Sequence, residues 1–254
     1  MPISDPTIRF SDRVDNYLRY RTGYPPAVLE VLKYECGLKP SSVVADVASG
    51  TGLLTRMFLE NGNRVYAVEP NPEMRHAGER LLTAYTNFNS VATTAESTSL
   101  PAHSIDFVTA AQAAHWFDLA RARAEFVRIL KPEGWCVLLW NERCIDSTPF
   151  LRAYEQIVLG YGTDYKEVRH ERTTAAIGSF FAPSKFHSHV FEIRQEFDYP
   201  ALEGRLLSSS YAPQSAHQNY APMLKALRAV FDEYKVDGHV TFEYNTRMFY
   251  GQLA

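Results

Sequence analysis

Apolar positions along the first 141 residues keep switching between two periods. Residues 43–47 (VVADV) form a β-branched apolar run that stops at a glycine-rich turn, the pattern of a buried strand. LLTRMFLENG, at 53–62, repeats its apolar positions at helical spacing and closes on Asn61 and Gly62, a natural helix end. RVYAVEP (64–70) predicts a second buried strand, and a helix follows over 72–83 with Pro72 suited to its first turn. A weak third strand falls at 88–92, a fourth at 104–111 (SIDFVTAA), a helix at 119–130 (LARARAEFVRIL) and a fifth strand at 134–141 (GWCVLLWN). Lys131, Pro132, Glu133 and Gly134 separate the last two.

After Asn141 the rhythm changes. A helix is predicted over 149–159, then a polar, aromatic-rich stretch runs to about His187. Strict alternation marks strands at 190–199 and 239–251, and the segments LEGRLLSSS and YAPMLKALRAVFDEY between them have helical spacing. The expectation is an α/β fold: a Rossmann-like, seven-stranded, mostly parallel sheet with helices on both faces and a helical cap. The chain divides into an N-terminal lid and first helix (1–40), a core (41–141), cap insertions (142–187 and 201–236) and closing strands (188–200 and 238–251). In such sheets the ligand crevice lies beyond the carboxyl ends of the strands, where the strand order reverses.

Composition narrows the partners. Of 254 residues, 46% are apolar and 22% charged, an ordinary globular balance. The net charge of −3 offers no attraction to nucleic acid or an anionic membrane, so neither is an expected partner. Charges interrupt every apolar run, and the opening MPISDPTIRFSDR lacks a basic start and an apolar segment. A cytoplasmic protein, monomer or homodimer, is expected. Cys36, Cys136 and Cys144 are odd in number and lack metal-ligand spacing, which predicts inert thiols and no metal site.

The glycine-rich turn carries the sharpest chemistry. It reads Asp46, Val47, Ala48, Ser49, Gly50, Thr51, Gly52. Glycines there let a ligand approach the backbone, and the following helix aims free N–H groups at it. A nicotinamide-binding turn needs a third glycine, absent here. The acidic Asp46 repels a pyrophosphate but suits the ammonium of an amino acid. Glu69 ends the second strand seventeen residues after Gly52 and can accept from both hydroxyls of a ribose. S-adenosylmethionine offers both groups.

DVASGTG, AVEPNPEM, TAESTSLPAHSIDFVTAAQAAHWFD and LKPEGWCVLLWNE resemble the successive motifs of class I S-adenosylmethionine-dependent methyltransferases. More narrowly they are similar to the UbiE-like group called methyltransferase type 11, which includes trans-aconitate methyltransferases with His-Trp-Phe after the fourth strand. FSDRVDNYLRYRTGYP resembles that group's opening segment, and most of the chain is covered, with 160–187 the least similar part.

The resemblance implies a cofactor, S-adenosylmethionine, with S-adenosylhomocysteine as product and no metal. It puts Asp46, Ala48, Gly50 and Gly52 at the methionine end, Glu69 on the ribose, and Pro70 and Met74 near the adenine. Ala95 and Glu96 meet the adenine edge, while Gln112 and Ala113 form the floor under the sulfonium. Two departures matter. Ala48 replaces a glycine, which predicts a negative φ there, and Thr22 replaces a proline, which predicts a looser N-terminal segment.

Several roles stay open at this level. His115 is either a general base or orienting donor, or a wedge packed with Trp116 and Phe117; Trp116 itself is expected as a pocket wall. Tyr17, Tyr20 and Arg21 form either a lid over the acceptor or a helix that merely packs on the sheet. Arg143 either grips an anionic substrate or pairs on the surface near Glu142. The expected function is methyl transfer to a small-molecule acceptor, with carboxylate or hydroxyl O-methylation favoured. The alternatives are a non-catalytic adenosylmethionine-binding protein and a nicotinamide-dependent oxidoreductase.

Overall fold

In the computed structural model the described residues are Asn16, 19–165 and 177–253. Tyr17, one of the expected lid residues, lies outside them. Helix α1 (Ala27–Cys36) leads to β1 (Val43–Val47), α2 (Leu53–Glu60), β2 (Arg64–Val68), α3 (Pro72–Leu82) and β3 (Phe88–Val91). Then come β4 (Ile105–Ala111), a 3₁₀ turn (Ala114–Trp116), α4 (Leu119–Ile129) and β5 (Leu130–Arg143). The second half holds α5 (Pro149–Tyr161), β6 (Phe186–Phe197), α6 (Tyr199–Leu207), α7 (Tyr220–Tyr234) and β7 (Val240–Gln252).

All seven strands join one sheet in the order β3-β2-β1-β4-β5-β7-β6, parallel except that β7 runs antiparallel to β5 and β6. Order reverses between β1 and β4, so the crevice opens where Val47 and Ala111 end their strands.

Side-chain alternation divides the core between two faces. Val44, Val65, Phe107, Val137, Leu139 and Met248 pack with Val28 and Leu32 of α1 and with Leu54 and Phe58 of α2. Ala45, Val108, Ala110, Cys136 and Leu138 pack on the other face with Ala122, Phe126 and Ile129 of α4. The first helix is thus part of the core. Burial raises the Cys36 thiol to about 12 and pushes Cys136 up as well, so both stay protonated at neutral pH.

The boundary before β5 differs from the sequence expectation. Ile105 pairs with Leu130 and Phe107 with Trp135, so five residues of β5 pass two of β4. The expected break is absorbed as a bulge, which accommodates Pro132 without a ladder bond.

The cap grows from the far end of β7. Pairing with β5 ends at Arg143 and Tyr244, while pairing with β6 continues to Phe197 and Val240. Val240, Phe242 and Tyr244 are covered by Tyr154, Ile157, Leu202, Leu206, Met223 and Leu227 of α5, α6 and α7. The stretch at 177–181 is helical and puts Ile177, Phe180 and Phe181 into the α4 face. That part of the 142–187 insertion therefore belongs with the sheet. Among the described residues no helix is long and apolar enough to cross a membrane.

Candidate active site

The turn after β1 is built around two buried carboxylates. Asp46, 1% exposed, accepts from Thr55 Oγ1 of α2 at 2.6 Å and from Thr109 Oγ1 of β4 at 2.9 Å. It braces the turn against both neighbouring elements. Burial pushes its carboxyl up to about 6; the two threonine bonds oppose the rise, and the nearby Glu69 adds to it. Glu69, 7% exposed, accepts from the backbone N–H of Gly50 at 2.8 Å through Oε2 and from that of Asn71 at 2.8 Å through Oε1. Burial raises it too, against those two backbone bonds and the Arg75 charge.

Backbone geometry in the turn is left-handed at three positions. Gly50 has φ +59° and Gly52 φ +87°, and a Cβ on Gly52 would lie 2.6 Å from Leu82 Cδ1. Ala48 has φ +55°, which corrects the negative φ its side chain predicts. The chain must bend sharply for Ser49 to donate to the Val68 carbonyl of the neighbouring strand at 3.1 Å. That tie overrides a preference of roughly 1 kcal/mol. Met74 is buried, with its Cε 3.4 Å from a Cβ built on Gly50, so it supports the turn from below. Pro70 is half-buried beside Glu69.

A second group gathers at the end of β4. Gln112 has φ +57°, donates its N–H to the Leu139 carbonyl at 2.8 Å and its Nε2 to the Asn141 carbonyl at 3.1 Å. Ala113 is buried; His115 is half-buried, with its ring 4.6 Å from that of Trp116. Phe117 turns inward onto Phe126. Glu96 accepts from the Asp118 N–H at 3.0 Å, which draws the turn holding Ala95 beside this loop.

The N-terminal segment crosses the same edge. Asn141 Nδ2 donates to the Gly23 carbonyl at 3.0 Å, and Arg21 Nη2 donates to the Ser208 carbonyl at 3.0 Å. Tyr20 packs on Gly204 of α6, where a Cβ would come 2.1 Å from its ring. Thr22 donates to Gln195 of β6. Proline, which has no hydroxyl, could not make that tie.

Arg143 does not take the surface pairing near Glu142. It is buried in the cap, its Nη2 2.5 Å from Glu155 Oε2; Glu142 pairs instead with Arg247 at 3.4 Å. Sequence reasoning missed Thr55, Thr109 and Asn141. The one available signal was a polar residue inside an apolar strand, as Thr109 is in IDFVTAA.

Fold and site together define a Rossmann-like α/β domain with an acidic glycine turn at its switch point. Residues 45–138, which hold nearly all of these features, match the family model of a methyltransferase domain. An uncharacterized methyltransferase of Mycobacterium tuberculosis is 38% identical over 139 residues, covering 55% of this chain and 54% of that protein. An uncharacterized methyltransferase-like protein of Schizosaccharomyces pombe is 30% identical over 61% of this chain and 59% of its own length. The matches thus span little more than half of these relatives. The fold is shared with a structure from Anabaena variabilis described as a methyltransferase from an antibiotic biosynthesis pathway, at TM-score 0.65 and 21% identity over 92% and 99% of the two chains. It is shared also with a type II methyltransferase assignment from Anaeromyxobacter dehalogenans, at TM-score 0.62 and 23% identity over 92% and 98%.

Proposed function

We propose that the protein transfers a methyl group from S-adenosylmethionine to a small-molecule acceptor, at a carboxylate or hydroxyl oxygen. One observation carries this: Asp46 and Glu69, both buried, flank a glycine turn at the strand-order switch. Two carboxylates held out of water favour a cationic ligand and oppose a pyrophosphate. The N–H of Gly50, which a dinucleotide turn would aim at phosphate, is already given to Glu69. The nicotinamide alternative loses its anion-binding group.

In this function Asp46 and the 48–52 turn hold the amino-acid end of the cofactor, and Glu69 accepts from the ribose hydroxyls. Pro70, Met74, Ala95 and Glu96 border the adenine, and Gln112 and Ala113 form the floor. Bound there, adenosylmethionine supplies an electrophilic methyl whose departure leaves a neutral thioether, so the protein mainly positions the acceptor in line and excludes water. Trp116 gives a wall, and Tyr20 and Arg21 cover the mouth. His115 takes the proton of a hydroxyl acceptor or orients a carboxylate, which is already ionised. The His115-Trp116-Phe117 sequence supports the finer likeness to the trans-aconitate type.

The test is thermal protection. Adenosylmethionine or adenosylhomocysteine should raise Tm, by about 2.7 kcal/mol of added stability at a hundredfold excess over Kd, while a nicotinamide dinucleotide should leave it unchanged. Labelled-methyl transfer to a panel of hydroxy and carboxylic acids then tests turnover. Protection by the dinucleotide alone would sink the proposal.

A further inference from the structure

The cap holds a buried charged corner outside the cofactor turn. One face of the β5–β7 ladder runs from Leu139 beside Met248, through the 2.6 Å hydrogen bond of Thr246 to Asn141, to Arg143 opposite Tyr244. Glu155 Oε2 accepts from both Arg143 Nη2 at 2.5 Å and Tyr165 Oη at 2.9 Å. The Arg143 guanidinium lies 4.8 Å from the ring centre of Tyr154. A second arginine, Arg205 of α6, is 8% exposed. Its partners among the described residues are hydroxyls: Nε donates to Tyr244 Oη at 3.3 Å and Nη1 to Ser209 Oγ at 3.1 Å. Among the described residues the corner therefore buries two guanidiniums, Arg143 and Arg205, against one carboxylate, Glu155.

Three of its polar atoms have no hydrogen-bond partner among the described residues: Arg143 Nη1, Tyr154 Oη and Glu155 Oε1. Buried donors left unpaired are costly, and a cluster of them calls for an occupant. The surplus positive charge selects its sign.

We propose that this corner anchors an anionic group of the methyl acceptor, a carboxylate or phosphate that accepts from Arg143 Nη1 and Tyr154 Oη. Arg205 balances its charge from behind. Glu155 Oε1 limits the corner to one such anion and accepts from a donor on the same molecule. The inference rests on the transferase function proposed above. Gln112, the floor of that site, bonds to the Asn141 carbonyl, and Arg143 lies two residues, about 7 Å, further along β5. An oxygen paired to arginine is a poor nucleophile. The anion is thus an anchor, and the methyl goes to a different atom of a molecule with at least two functional groups.

The experiment is titration calorimetry on the protein saturated with adenosylhomocysteine, with cinnamate, phenyl phosphate and neutral methyl cinnamate as probes. At least one anion should bind no less than tenfold tighter than methyl cinnamate, and the tighter anion identifies carboxylate or phosphate as the group recognised. Tyr154→Phe should weaken that anion at least threefold without lowering Tm, because the hydroxyl it removes has no partner among the described residues. Glu155→Gln should tighten it. Adenosylhomocysteine affinity should be unchanged in both variants. Equal binding of the neutral ester, no binding of either anion, or no effect of Tyr154→Phe overturns the anchor. Failure of adenosylhomocysteine to bind wild type overturns the transferase function instead.

Discussion

Glu69 Oε2 accepts the backbone N–H of Gly50 across 2.8 Å, so the end of β2 closes the turn that leaves β1. The bond makes the carboxylate part of the turn's structure as well as a candidate ribose ligand. Replacing it should therefore affect stability and binding together.

Glu69→Ala removes two charge-assisted bonds, to Gly50 and Asn71, and should cost about 2–3 kcal/mol of stability. It should also abolish most of the Tm rise produced by adenosylhomocysteine. A variant with lowered Tm but an undiminished ligand-induced rise would remove Glu69 from the cofactor site.

Asp46 gives a pH signature. Its folded carboxyl is raised to about 6, above the model-peptide range near 4. The folded state therefore holds its proton more tightly, and this group's contribution to stability falls as pH rises from about 4 to 6. Asp46→Asn should be more stable than wild type at pH 7 by up to roughly 3 kcal/mol, with the difference vanishing near pH 4. Denaturant melts at both pH values check this, and a constant difference would refute it.

Cationic ligands should pull the same carboxyl back down. Adenosylmethionine binding should release protons at pH 6 and fewer at pH 8. Calorimetry in two buffers of different ionisation enthalpy measures the release, and Asp46→Asn should lose most of it.

Left-handed positions in the turn predict unequal outcomes. Gly52→Ala brings a Cβ to 2.6 Å from Leu82 at φ +87° and should cost about 2 kcal/mol or more. Ala48→Gly relieves a left-handed alanine at φ +55° and should change stability by less than about 1 kcal/mol, since freedom gained by the unfolded chain offsets the relief. Paired urea melts compare them.

Gly204→Ala should displace Tyr20, whose ring lies 2.1 Å from the added Cβ. Limited trypsin digestion should then cut after Arg19 and Arg21 several-fold faster, with Tm little changed. An unaltered rate would show that Tyr20 is not what fastens the segment.

Much of the fold was legible because each strand and helix of the core buries its own face. The runs at 43–47, 64–68 and 105–111 announce themselves by local pattern, and β-branched or helical periodicity needs no distant partner to be read. The acidic turn was legible for the same reason, since Asp46, Gly50, Gly52 and Glu69 are close in the chain. Ala48 was misjudged because its φ is set by the Ser49 bond to β2, a tie between strands.

The sequence by itself determined the alternation of elements, the sheet's mainly parallel character and the chemistry of its first turn, all of which follow from short-range periodicity and composition. Tertiary structure alone decided which distant groups meet. Thr55 and Thr109 converge on Asp46, Thr22 reaches Gln195, and Arg143 leaves the rim to pair with Glu155 beneath the cap. The last two pairings depend on where β7 inserts between β5 and β6, and one-dimensional periodicity carries no information about which faces a chain will fold together.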